Sequence, residues 1–141
     1  MLMQVNEYKV SLVGPPNLGK TLFVKRLVRN SNDLEYYDYI PTLGADIYPL
    51  ELNGIMGKIR LNIWDCAGDS RYRGLGEKYN LDTKVAIVFR KSNDESYLEF
   101  ENELPVGTMC EFIEDYNLTT PEKSVSEYKQ MLYNFIINIS F

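Results

Sequence analysis

Eight consecutive residues carry the strongest chemical signal in the chain: Gly14-Pro15-Pro16-Asn17-Leu18-Gly19-Lys20-Thr21. They fit the pattern GxxxxGK[ST], in which the amides of a loop and of the following helix N-terminus point at phosphate oxygens. Lys20 is placed to reach β- and γ-phosphates, and the Thr21 hydroxyl to ligate Mg²⁺. Pro15 and Pro16 have no N–H to offer. A phosphate cradle opened by Gly14 therefore has to be built from Asn17, Leu18, Gly19, Lys20, Thr21 and Leu22. The plainer reading is a Gly/Pro turn ahead of an ordinary helix. A predicted strand on one side and a predicted helix on the other favour phosphate binding.

Two further positions fit the same chemistry. Asp65-Cys66-Ala67-Gly68 follows directly on an apolar strand-like run at 59–64. An Asp closing a buried strand beside such a loop commonly orders Mg²⁺ and its waters, and the Gly lets a backbone N–H approach the γ-phosphate. DxxG is weak alone and supports the first motif in combination. Thr42, after Pro41, offers a hydroxyl that completes a metal set of Thr21, Thr42 and Asp65; taken alone it reads as a surface-loop threonine.

These side chains need elements to hold them. Residues 8–13 alternate as a strand, and 21–29 place apolar residues at 22, 23, 24, 27 and 28 with basic residues elsewhere, an amphipathic helix. A polar breaker at 30–33 follows. Residues 46–52 and 58–64 predict two strands with Asn53-Gly54 as the hairpin turn, and 85–89 is an apolar run typical of a strand buried on both faces. The acidic stretch 93–103 predicts a short helix. Residues 104–110 form a strand candidate weakened by Pro105 and Gly107, and 109–116 are equally compatible with a helix. A helix is predicted over 122–139, started by Thr120-Pro121-Glu122, with Tyr128, Leu132, Phe135, Ile136 and Ile139 on one face.

Composition bounds the answer. The chain has 141 residues, 20 Asp and Glu against 15 Lys and Arg for a formal charge of −5, and a 45% hydrophobic fraction, which predicts one domain over 1–141 with a sizeable core. The acidic balance argues against direct nucleic-acid binding. The absence of His excludes imidazole acid–base catalysis and imidazole metal sites. Cys66 and Cys110 form no CxxC pattern and predict buried thiols in a reducing compartment. With no signal peptide, spanning run or C-terminal lipidation cysteine, the expectation is a soluble, unanchored intracellular protein of the cytoplasm or nucleus.

Taken together, these residues resemble the Ras-like small GTPases, most closely the Ran subfamily, through residues 8–26, the TLG-x-x-x-x-PL segment within 41–50, and 64–89. The resemblance implies a three-layer α/β P-loop fold, a mixed sheet flanked by helices, with the last third of the chain reduced. It implies GTP or GDP with Mg²⁺ as ligands, Thr42 in a first switch, Asp65 and Gly68 opening a second, and Lys20, Thr42 and the position of Asp69 as the catalytic set. Nuclear transport receptors or Ran regulators follow as partners by the same resemblance.

The departures are as informative. The family places Gln where Asp69 stands, and a carboxylate there repels the triphosphate, so intrinsic hydrolysis is expected to be slow. Pro16 replaces a usual Gly. The NKxD base-reading motif is absent; if 105–110 is the preceding strand, Glu111-Phe112-Ile113-Glu114 takes its place, with Glu114 as the mimic of its Asp. The SAK motif is blurred into Glu122-Lys123-Ser124, and about one helix–strand unit is missing after residue 90. The leading reading is a nucleotide-dependent switch or partner-binding module. The alternative is a non-catalytic pseudo-GTPase serving as a structural or decoy interaction protein. A P-loop phosphotransferase ranks last.

Overall fold

Odd and even residues of the strands sort onto two faces, and that alternation builds three layers. The computed structural model describes residues 6–31, 45–66 and 82–140. Five strands form one sheet in the order β2-β3-β1-β4-β5: β1 (Asn6–Val13), β2 (Ala45–Gly54), β3 (Gly57–Cys66), β4 (Val85–Arg90) and β5 (Met109–Glu114). β1 runs parallel to β3 and β4, β4 parallel to β5, and only β2 is antiparallel, to β3. One face carries Val10, Leu12, Ile59, Leu61, Ile63, Val85, Ile87, Phe89 and Ile113. It packs against α1 (Lys20–Arg29) and α3 (Val125–Ser140). The other face presents Val13, Cys66 and Val88 to Phe100 of the short α2 (Tyr97–Glu101). Each fully buried aliphatic side chain stabilises this arrangement by roughly 1.5–3 kcal/mol.

The register positions the site. Leu12 lies beside Asp65, so β1 and β3 finish together, and β1 is the strand whose neighbours diverge, β3 to one side and β4 to the other. A crevice at the carboxyl ends of parallel strands forms at such a reversal of strand order. The loop 14–19 leaves β1 at that point.

Several sequence expectations shift. The hairpin turns at Ile55-Met56, with Gly54 paired to Gly57; the residue of positive φ is Gly57 (98°). Gly54 instead lies against the ring of α3's Tyr133, where a Cβ would come within 2.2 Å. Tyr133 Oη accepts from Met56 N–H (2.9 Å) and donates to the Gly57 carbonyl (2.7 Å), sealing the hairpin from the helix side. α3 starts three residues later than predicted. Its first turn is held by a reciprocal pair, Glu127 N–H to Ser124 Oγ (3.1 Å) and Ser124 N–H to Glu127 Oε1 (3.2 Å), a capping box that displaces the Pro signal. Residues 109–114 are a strand, not a helix, because Cys110 and Phe112 face one core layer and Ile113 the other. Trp64 is half-buried at the margin of the second layer with the Lys9 ammonium 4.1 Å from its ring centroid. The two cysteines are free thiols; Cys66 is buried, whereas Cys110 is only partly so.

Candidate functional site

Between β1 and α1 the backbone takes positive φ three times, at Gly14 (φ 139°), Asn17 (φ 65°) and Gly19 (φ 91°). The first admits only glycine, because a Cβ at Gly14 would stand 2.5 Å from the Phe89 carbonyl oxygen, and at Gly19 a Cβ would meet the end of the Leu118 side chain at 2.4 Å. These turns aim the head of α1 back across the loop. The helical ladder begins with Phe23 N–H to the Gly19 carbonyl (2.8 Å), so the amides of Lys20 to Leu22 point out of the helix end. No side chain caps this end, and no acidic residue stands in its first turn. An uncapped helix start of this kind carries partial positive charge and attracts anions.

Lys20 is buried, only 6% exposed, and its ammonium donates to the carbonyls of Gly14 (2.8 Å) and Pro15 (2.7 Å). Burial pushes its pKa down to about 8, offset in part by the charges of Asp65 and Cys66. It remains mainly a cation at neutral pH. Thr21 Oγ1 donates to Asp65 Oδ2 at 2.5 Å, and Asp65 is fully buried. Strand β3 thus brings a carboxylate to the helix's first hydroxyl across 44 residues of chain. Both are hard oxygen donors, the chemistry that suits Mg²⁺. Among the described residues no group of three or more His, Cys, Asp or Glu could hold a metal.

Gly14, Asn17, Leu18, Gly19, Lys20, Thr21, Leu22 and Asp65 therefore come together at one end of the sheet. Leu18 packs on the core and Leu22 is buried, so these two offer backbone and not side chain. Thr42, Gly68 and Asp69 lie outside the described residues.

The expected base-reading residues are corrected. Glu111 to Glu114 lie inside β5, not in the loop after it, because that strand begins at Met109, four residues later than assumed. Glu114 is half-exposed beside Arg90 (3.9 Å). In the loop that does follow, Asp115 accepts from both the N–H and the hydroxyl of Ser92, and Asn117 Oδ1 accepts from Thr119 and Thr120 N–H (each 2.9 Å). Ser124, the last residue of the blurred SAK, caps α3.

The residue that sequence reasoning missed is Arg26. The apolar pattern of α1 assigns it to the polar stripe, yet it is 2% exposed. Its guanidinium donates to Tyr116 Oη (2.9 Å) and to the Leu118 carbonyl (2.6 Å). Tyr116 packs edge-on against Phe23 and Phe89. The loop after β5 is thereby clamped onto α1 and onto Gly19. No pattern within α1 signals this, since the partners are 90 and 92 residues away.

A mixed five-stranded sheet with helices on both faces and a lysine-bearing loop at its strand-order reversal defines a P-loop GTPase-type α/β fold. Residues 9–105 match the Roc family, Ras of Complex, described as the Roc domain of DAPkinase. The chain belongs to this family of Ras-like small GTPase domains, and membership implies guanine-nucleotide binding. The matched span runs from β1 through α2 and stops before β5.

Proposed function

We propose that this protein is a GTP-binding switch of slow intrinsic hydrolysis, with its phosphate site formed by residues 14–22 and Asp65. The observation that carries the reading is the convergence of Lys20 and the Thr21–Asp65 pair on the uncapped start of α1. Lys20 exchanges two loop carbonyls for phosphate oxygens, keeping its charge in a site from which water is largely excluded. The amides of residues 17–22 orient the phosphates, and Thr21 and Asp65 hold Mg²⁺ directly or through water. Bound Mg²⁺ neutralises charge on the β- and γ-phosphates. Thr42 and Gly68 act as the γ-phosphate sensors in this reading, and Asp69 slows the attacking water by repulsion and by offering no donor when ionised.

The test is binding of fluorescent GTP, GDP and ATP analogues with and without Mg²⁺. Mg²⁺-dependent binding with a guanine preference is the expected result; no binding by the folded protein would remove the proposal. Asp69→Gln should raise the hydrolysis rate, and an unchanged rate would locate the defect elsewhere.

A second reading, a weakly binding pseudo-GTPase acting by protein contact, is favoured by one observation. The polar side chains nearest the loop's start are already engaged, Asp115 by Ser92 of the loop after β4 and Asn117 by Thr119 and Thr120 N–H of its own loop. Equal, weak affinity for all three analogues would select it. A Ran-type partner, a nuclear transport receptor or Ran regulator, rests on the resemblance of 41–50 and 64–89 alone. Nucleotide-dependent co-purification with a purified transport receptor tests it.

A further inference from the structure

Among the described residues β5 is the outermost strand on its side of the sheet. Met109 N–H donates to the Lys84 carbonyl and Asp115 N–H to the Arg90 carbonyl, each at 2.9 Å. In a parallel ladder alternate residues bond to the neighbour. Residues 109, 111, 113 and 115 therefore face β4, and Cys110, Phe112 and Glu114 turn their N–H and C=O groups away from it. Among the described residues nothing pairs with that row. The opposite edge differs: β2 carries Pro49, which has no N–H to offer a further strand. No proline interrupts β5.

Charge and side chains around this edge specify what it can accept. Residues 94–122 contain nine Asp and Glu and no Lys or Arg. Glu111 and Glu114 flank the strand on its two faces, and Glu101 is close enough to reinforce, after burial, the raised pKa of the Cys110 thiol. The neighbouring cation, Arg90, is stacked on Phe112 (4.2 Å) and Tyr97 (5.2 Å) and paired with Glu114. Val106 and Met109, at the start of the strand, are fully and half exposed. A second copy of the chain would set its own Glu111 and Glu114 against this acidic row, and like charges facing each other destabilise strand pairs.

We infer that the outer edge of β5 is a strand-addition site for an extended, lysine- or arginine-rich segment of a partner protein. Backbone bonds to Cys110, Phe112 and Glu114 would give affinity, and the glutamates would select basic side chains. The site is separate from the phosphate loop, so it stands or falls independently of nucleotide binding.

The probe is a short, end-blocked, labelled peptide of alternating lysine and valine, titrated against the full chain by fluorescence anisotropy. Amide hydrogen exchange is followed in parallel. Binding should slow exchange at Cys110, Phe112 and Glu114 by about tenfold or more, with little change elsewhere in the sheet. N-methylation of the peptide amides that face β5 should weaken binding by about tenfold, whereas methylation of the outward amides should not. The Glu101→Lys/Glu111→Lys variant, with both changes on partly buried side chains, should lose affinity for the basic peptide and gain it for a glutamate–valine counterpart. Equal binding of both methylated peptides would reduce the effect to charge attraction and overturn the inference. So would absence of protection at the three amides, or protection that appears without peptide through self-association on raising protein concentration.

Discussion

Lys20 is the residue on which the site turns, because its charge is held where solvation is poor. Lys20→Ala removes the cation and leaves the Gly14 and Pro15 carbonyls to solvent. Nucleotide affinity should fall by at least about 100-fold, the worth of charge-assisted bonds to phosphate; affinity within about threefold of the parent would sink the assignment of this loop. The lowered pKa gives a second prediction with opposite signs for two quantities. Lys20 titrates near 8 in the folded protein against 10.5 ordinarily, so the unfolded chain binds more protons between those values. The contribution of Lys20 to folding stability therefore rises with pH across that window. Nucleotide binding needs the ammonium, so affinity should be flat below pH 8 and fall above it. Chemical denaturation and nucleotide titration at pH 7, 8 and 9 check both. Loss of the affinity trend in Lys20→Arg, which stays charged, would attribute it to this side chain. Thr21→Val adds a separate readout: if, as proposed, its hydroxyl serves the metal, binding should weaken mainly when Mg²⁺ is present.

At the scale of elements, the legible parts of the chain were those whose reasons are local. The GxxxxGK[ST] spacing, the apolar run of β4 and the amphipathic stripe of α1 each declare themselves within about ten residues. Thr21 and Asp65 each stand out in the sequence as candidate metal ligands; the hydrogen bond that joins them is a feature of the structure. What stayed hidden depends on partners far along the chain. Gly54 looked like a turn residue because Asn-Gly usually is one; Tyr133, 79 positions later, makes it a contact residue instead. β5 was ambiguous because its two faces meet different layers, and no period of 2 survives in a segment with acids at 111 and 114. Its displacement from 105–110 to Met109–Glu114 then misplaced every residue read from it. The start of α3 was the opposite case, a local capping box overlooked in favour of a nearby proline. Tyr133→Phe should cost about 1–3 kcal/mol, because Met56 N–H and the Gly57 carbonyl lose a shared partner at a half-buried site. Ser124→Ala should cost about 1 kcal/mol. Urea melts of the two variants rank them, and the reverse order would mean that the hairpin seal contributes less than the cap.

Across the whole molecule, one buried cation joins the phosphate loop to the last third of the chain. Arg26 stands two helical turns from the start of α1 and bonds to Tyr116 and to the Leu118 carbonyl. Leu118 in turn packs over Gly19. The aromatic rings of Phe23, Phe89, Tyr116 and Tyr128 surround this link at centroid separations of 5.2–6.0 Å. Residues 106–140, which lie beyond the span matched to the Roc family, are thus tied mechanically to the element that bears Lys20 and Thr21. Ligand at the head of α1 and order in the loop 115–120 should then be coupled, each favouring the other. Arg26→Met retains most of the side chain's volume but leaves the Leu118 carbonyl and the Tyr116 hydroxyl without their donor, so it should destabilise the fold by about 2–4 kcal/mol. The control is Lys25→Met on the half-exposed side of the same helix, expected to stay within about 0.5 kcal/mol. In the parent protein nucleotide should slow amide exchange at 116–120; in Arg26→Met that protection should shrink even where binding persists. Full protection in the variant would mean that Leu118 and Gly19 couple through packing alone, with the guanidinium serving only to hold the fold.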